Sequence, residues 1–202
     1  MSRVRGQSVA DTNHRIVSSA LRIFRETGLA NAKVGDICAN ANVSRKTLYE
    51  YYEGKYDLFR AVLNVEAEFF IDALTKIERR ADPDDILRSV FYLVFDEFGS
   101  AFGCLMSEIG INSSVIIPER ARQASQICLG LIEEAIVAGS GTGQFRQDVD
   151  SQRYLAMMNI IINGFYSSSN AVEQMLNVNL RNEEDIRSWR EHLASVLISS
   201  LR

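Results

Sequence analysis

Apolar residues recur along this chain at spacings of three and four, and rarely alternate, which predicts helices throughout. Ile16, Val17, Ala20, Leu21 and Phe24 form the first stripe. Asp11 or Thr12 is placed to cap its start, and Gly28 to end it in a left-handed turn. Residues 1–10 before it read as a flexible basic arm. A second helix is expected from Lys33 or Val34 to Ala41, then a turn, Asn42-Val43-Ser44. Asn42 stands where a positive φ is needed, a conformation asparagine tolerates well. Ser44 suits the N-cap of a third helix, about 44 to 51. Glu53-Gly54 breaks the chain. A fourth helix is predicted from Lys55 through Leu58, Val62, Val65, Phe69, Ile71 and Leu74 to about Arg80. Asp82-Pro83-Asp84-Asp85 restarts the pattern, with carboxylates in a first helical turn. Further helices follow over about 84–99, 100–112, 118–138, 151–172 and 183–201. Gly139 to Gly143 is expected to be a flexible loop. The pattern gives an all-α protein of about nine helices.

The 202 residues are 47% hydrophobic and include only two prolines, Pro83 and Pro118. No stretch approaches the roughly 20 apolar residues of a membrane span. The first residues carry positive charge but no apolar core of a secretory signal, so a cytoplasmic protein is expected. Cys38, Cys104 and Cys128 are too widely spaced for a metal site or a disulfide framework, and read as small buried hydrophobes. His14 and His192 are the only histidines, both in polar surroundings. The glycine loop lacks the Lys-Ser/Thr of a phosphate loop, and HExxH, CxxC pairs and G-x-S-x-G are missing. Catalysis and a cofactor are not expected. The net charge of -4 hides a split. Residues 1–60 carry ten Lys/Arg against six Asp/Glu, and the remainder twelve against twenty. A basic head on an acidic body directs the head to a polyanion.

The head also holds a specific pattern. Val34, Ile37, Cys38, Ala41, Val43, Leu48 and Tyr52 fall where two crossing helices must touch, the arrangement of a helix-turn-helix. The third helix opens with Ser44-Arg45-Lys46-Thr47 and continues into Tyr49, Tyr51 and Tyr52. Arginine and lysine donate to guanine, and a threonine methyl touches a thymine methyl. Arg45, Lys46 and Thr47 are therefore candidates for base edges. Each can equally meet only a phosphate, and the sequence does not separate the two. Ser44 can cap its helix and donate to a phosphate. Tyr51 is expected to face DNA, and Tyr52 to pack against the first helix. His14 and Arg15 can reach the DNA backbone from that helix.

Phe24-x-x-x-Gly28, then Val34-x-Asp36-Ile37-Cys38-x-x-Ala41-x-Val43-Ser44-x-x-Thr47-Leu48-Tyr49-x-Tyr51-Tyr52-x-x-Lys55-x-x-Leu58, resembles the TetR family of bacterial transcriptional regulators. The match covers about residues 11–60. The resemblance implies a helix-turn-helix domain over residues 1–54, and a helical effector-binding and dimerisation domain over 55–202, joined by the long fourth helix. It implies that Tyr49 and Lys55 grip phosphates. The sequence departs from the family at Asn42 and Lys46, which often are glycine there, and at Tyr52, which often is phenylalanine. Lys33 replaces the usual threonine cap, leaving either Asn31 as a substitute cap or Lys33 itself as a phosphate contact.

Phe69, Phe91, Phe95, Phe98, Phe102, Met106, Ile109 and Cys128 are candidates to line an effector pocket. Ordinary core is the competing reading, since aromatics at helical spacing usually just pack. By resemblance, the last two long helices pair with their copies in a homodimer through Tyr154, Met158, Ile161, Ile162 and Phe165, with Trp189, Leu193, Val196 and Leu197. The expected function is a dimeric, sequence-specific regulator, a repressor released from a palindromic operator by a small molecule. An activator or a ligand-independent regulator fits the same fold. A helical protein-interaction module accounts for the amphipathic helices but not for the Arg45–Tyr49 cluster.

Overall fold

A computed structural model describes residues 2–98, 116–176, 180 and 182–202. Among them the secondary structure is wholly helical, in eight elements. These are α1 Ser2–Asn31, α2 Val34–Ala41, α3 Arg45–Tyr51, α4 Lys55–Thr75, α5 Pro83–Phe98, α6 Glu119–Gly141, α7 Ser151–Leu176 and α8 Glu183–Ser199. The helix expected over 100–112 lies outside the described residues.

The described residues divide into two compact units: 2–68 with 116–122, and 69–98 with the described part of 123–202. The division falls within α4, after Glu68, rather than at residue 54. In the first unit Ile16, Val17, Ala20 and Phe24 of the predicted α1 stripe are buried, as are Leu29, Ile37, Leu48 and Leu58, whereas Leu21 is half-buried. The Phe24 ring meets Phe59 edge-on, with centroids 5.2 Å apart. In the second unit, Val90, Phe91 and Phe95 of α5 are buried with Ile132 of α6, Ile162 of α7 and Ala194 of α8.

Several boundaries moved. The basic arm expected over 1–10 is helical from Ser2. No proline interrupts this stretch, and extending an existing helix is far cheaper than starting one. Gly28 breaks the helical geometry at φ 73°, ψ 161°, a positive φ as expected but with an extended ψ in place of the left-handed cap, and helix resumes to Asn31. α4 stops at Thr75 instead of about Arg80. There the Thr75 hydroxyl donates to the Asp72 carbonyl, and Lys76 and Ile77 N–H groups bond only three residues back. α6 runs on through Gly139 to Gly141, so the first part of the expected flexible loop is ordered helix. The cause is Phe145, whose ring is buried against Gly139. The Gln144 and Phe145 N–H groups both donate to the Gly139 carbonyl, at 2.8 and 3.1 Å.

A Cβ at Gly139 would stand 2.2 Å from the Phe145 ring. Replacing glycine by alanine inside a helix ordinarily stabilises it. Gly139→Ala is expected to do the opposite, lowering stability by about 1–3 kcal/mol through overpacking. Urea unfolding followed by circular dichroism checks the sign.

Candidate nucleic-acid interface

The turn between α2 and α3 sets the interface. Asn42 ends α2 in the left-handed conformation, φ 52°, ψ 51°, and the next residue's N–H donates to the Cys38 carbonyl at 3.0 Å. Its side chain is short and polar, so this conformation costs it less than it would most residues. Ser44 is extended, and its Oγ accepts from the Thr47 N–H at 3.0 Å, which starts α3. Leu48, on the inner side of α3, is fully buried.

The outer side carries the chemistry. Arg45, Lys46 and Tyr49 are exposed, Tyr49 by 53%. Among the described residues none of these three side chains has a hydrogen-bond or ion-pair partner. Thr47 is half-buried and its hydroxyl is 2.9 Å from Ser44 Oγ. That hydroxyl is already engaged, so the methyl is what remains for a base. Lys33 is exposed at the start of α2 and provides no side-chain cap there. Asn31 lies two residues before the N-cap position, and its amide donates back to the Thr27 carbonyl of α1 at 3.1 Å.

Two expected DNA-facing residues also bind within the protein. The Tyr51 hydroxyl donates to the Val9 carbonyl of α1 at 3.3 Å, and the half-buried ring does not project freely. Beside it, the Tyr52 hydroxyl donates to Asn13 Oδ1, the packing against the first helix expected of it. The Lys55 ammonium donates to the carbonyls of Ala30 and Ala32, at 3.0 and 3.2 Å. It ties the start of α4 to the link between α1 and α2, using two of its three donors. Sequence reasoning missed this tie. The signal was a cation at a helix N-terminus, where the dipole disfavours it. Cys38 lies beneath α3, where burial pushes its thiol above the ordinary value while the nearby Arg45 charge opposes the rise.

The family model "Bacterial regulatory proteins, tetR family" matches residues 16–62, the span holding this turn and both its helices. Over these residues the chain is similar to the TetR family. Members are transcriptional regulators rather than enzymes. The HTH-type transcriptional repressor NicS of Pseudomonas putida is 23% identical over 98% of this chain and 96% of its own. The HTH-type transcriptional regulator AcrR of Shigella flexneri is 30% identical over 48% of this chain and 46% of its own. The crystal structure of the transcriptional regulator FadR from Bacillus subtilis in complex with stearoyl-CoA is similar in fold, with a TM-score of 0.70 at 16% identity. That likeness covers 94% of this chain and 99% of that one.

The second unit holds several of the residues expected to line a pocket. Phe95 is fully buried, with its centroid 5.8 Å from Phe91, 5.1 Å from Phe165 and 5.2 Å from Tyr166. Cys128 is buried too, and burial pushes its thiol pKa up to about 12, so it stays protonated. Phe98 is half-buried. Phe69 is 69% exposed and turns away from the core, contrary to its expected place in a pocket wall. The helical period that buries Leu63, Ala67 and Leu74 on α4 puts Phe70 inside instead. Phe102, Met106 and Ile109 lie outside the described residues.

A polar seam between α5 and α8 went unread in the sequence. The Tyr92 hydroxyl donates to Glu191, and Arg190 lies 4.4 Å above the Tyr92 ring. Arg190 also pairs with Asp96 at 2.7 Å. Its residues sit on two helices distant in sequence, so no local spacing announces it.

The residues assigned to a dimer face separate into two groups. Tyr154, Met158 and Ile162 of α7 and Leu197 of α8 are buried inside the subunit, which corrects that assignment. They form the inner half of stripes too wide for one contact. Ile161, Phe165, Trp189 and Leu193 are half-buried, and Val196 is 51% exposed. Ile160, passed over in the sequence, is 72% exposed, with Met157 one turn before it. Phe165 and Trp189 centroids are 6.1 Å apart, which joins the α7 and α8 faces into one strip.

Proposed function

We propose that the protein is a cytoplasmic repressor that binds a palindromic DNA operator as a homodimer and leaves it when a small molecule occupies the second unit. The observation that carries the DNA reading is the outer side of α3. A capped helix on a basic segment presents Arg45, Lys46 and Tyr49 exposed and without partners among the described residues. Unpaired cations and a free phenol are what phosphates and base edges require. Tyr49, with Lys33, Ser44 and the remaining donor of Lys55, serves phosphate positioning. The repressor NicS, similar along nearly the whole chain, supports the sign of regulation. No described helix is long and apolar enough to cross a membrane.

The second copy would cover Met157, Ile160, Ile161, Trp189 and Val196. Two-fold pairing places two α3 helices to read half-sites one DNA turn, about 34–36 Å, apart. α4 supplies residues to both units, so an effector that shifts it changes how the two heads meet the operator. Such coupling typically amounts to about 1–3 kcal/mol.

The test is a salt titration of binding to genomic DNA fragments. Affinity is expected to fall steeply as salt rises, because each neutralised phosphate releases counterions, with a slope near 0.9 per contact. Tyr49→Ala is expected to weaken all sequences alike, by about 1.5–3 kcal/mol for one hydrogen bond to a charged group. A salt-independent affinity sinks the DNA reading; normal operator binding by Tyr49→Ala removes Tyr49 from it.

A further inference from the structure

Gly35 is the second residue of α2 and has no positive φ, so its backbone does not call for glycine. Glycine is a poorer helix former than alanine, so its place in a helix of eight residues calls for another reason. Its use is spatial. A Cβ there would stand 2.9 Å from Arg45 Nη2, with Cζ at 3.8 Å and Nε at 3.9 Å. Arg45 opens α3, yet its guanidinium turns back and lies on the first turn of α2, over the missing side chain. Lys46, the next residue, projects about 100° further round the helix. It is exposed and has no partner among the described residues.

We propose that Arg45 is a phosphate-positioning residue rather than a base reader, that Gly35 makes room for this role, and that Lys46 reads bases. In a helix-turn-helix the first helix crosses the DNA backbone, while the N-terminal residues of the second enter the groove. A guanidinium laid on α2 is carried with α2 to the phosphates, and it leaves the groove end of α3 to Lys46. The sequence alone left Arg45 and Lys46 equivalent; the contact over Gly35 separates them. The inference rests on the DNA-binding reading given above.

The experiment is selection from a randomised duplex library at several salt concentrations. The proteins are the full-length wild type, Arg45→Ala, Lys46→Ala, Gly35→Ala and the Gly35→Ala/Arg45→Ala pair. Wild-type protein that shows no salt-dependent binding overturns the DNA reading itself. Given that binding, Arg45→Ala is expected to weaken every sequence by a similar factor and lower the salt slope by about one, with base ranking unchanged. Lys46→Ala is expected to change the ranking at one position of each half-site. Gly35→Ala is expected to shift the Arg45 guanidinium off α2 and weaken wild type by less than Arg45→Ala does, and to leave the Arg45→Ala protein unaffected. Its melting temperature is expected to hold or rise, which separates displacement from unfolding. A changed ranking in Arg45→Ala overturns the proposal. So does an unchanged ranking in Lys46→Ala, or a Gly35→Ala effect that persists without Arg45.

Discussion

Ile160→Glu is expected to convert the proposed dimer to monomers and to cut operator affinity by about 10²- to 10⁴-fold. That range is the avidity lost when two linked modules become independent. Ile160 is 72% exposed in the subunit, so the carboxylate is hydrated in the monomer and the subunit fold is unaffected. In the proposed dimer the same carboxylate would be buried against the second copy, a charge without a partner. Sedimentation velocity reads the oligomeric state, and circular dichroism checks that helix content is retained. Two outcomes bear on different parts of the account. A variant that stays dimeric places the interface elsewhere than the Met157–Ile160–Val196 strip. A monomer that binds operator as well as wild type removes the need for two heads.

Phe95→Ala is expected to cost about 3–5 kcal/mol of stability, the usual penalty for emptying a buried aromatic site. The ring has no exposed surface and meets Phe91, Phe165 and Tyr166 within 6 Å. Removing it deprives all three of a partner at once. The result distinguishes core from pocket at this position. A residue lining an effector cavity already faces empty space, and its truncation enlarges that space at little cost. Chemical denaturation followed at the single tryptophan, Trp189, reports on the same unit, since Phe165 touches both Phe95 and Trp189. A loss under about 1 kcal/mol would return Phe95 to the pocket wall.

The head was legible because its instructions are local. Asn42 takes the left-handed turn, Ser44 caps the helix it precedes, and Ile16, Ala20 and Phe24 bury one stripe. Each depends on neighbours within a few residues. What stayed hidden depends on residues far apart in the chain. Lys55 meets the carbonyls of Ala30 and Ala32, Tyr51 meets Val9, and Tyr92 meets Glu191. Nothing in the spacing around any one of them names its partner. The stripes of α7 and α8 show a different limit. Periodicity gives the width of an apolar face but not which half turns inward. Met158 and Ile162 fill the subunit core, whereas Ile160, two residues from each, is exposed. Gly139 misled in the same manner, because a glycine that seats a distant ring looks in sequence like a glycine that loosens a loop.

Selection of genomic fragments on the purified protein at moderate salt, followed by sequencing, tests most directly the claim that α3 reads DNA in pairs. An enriched palindromic site is expected, its half-sites centred a whole number of helical turns apart, with Tyr49→Ala recovering less of every fragment but ranking them in the same order. A folded dimer that enriches no sequence would contradict it.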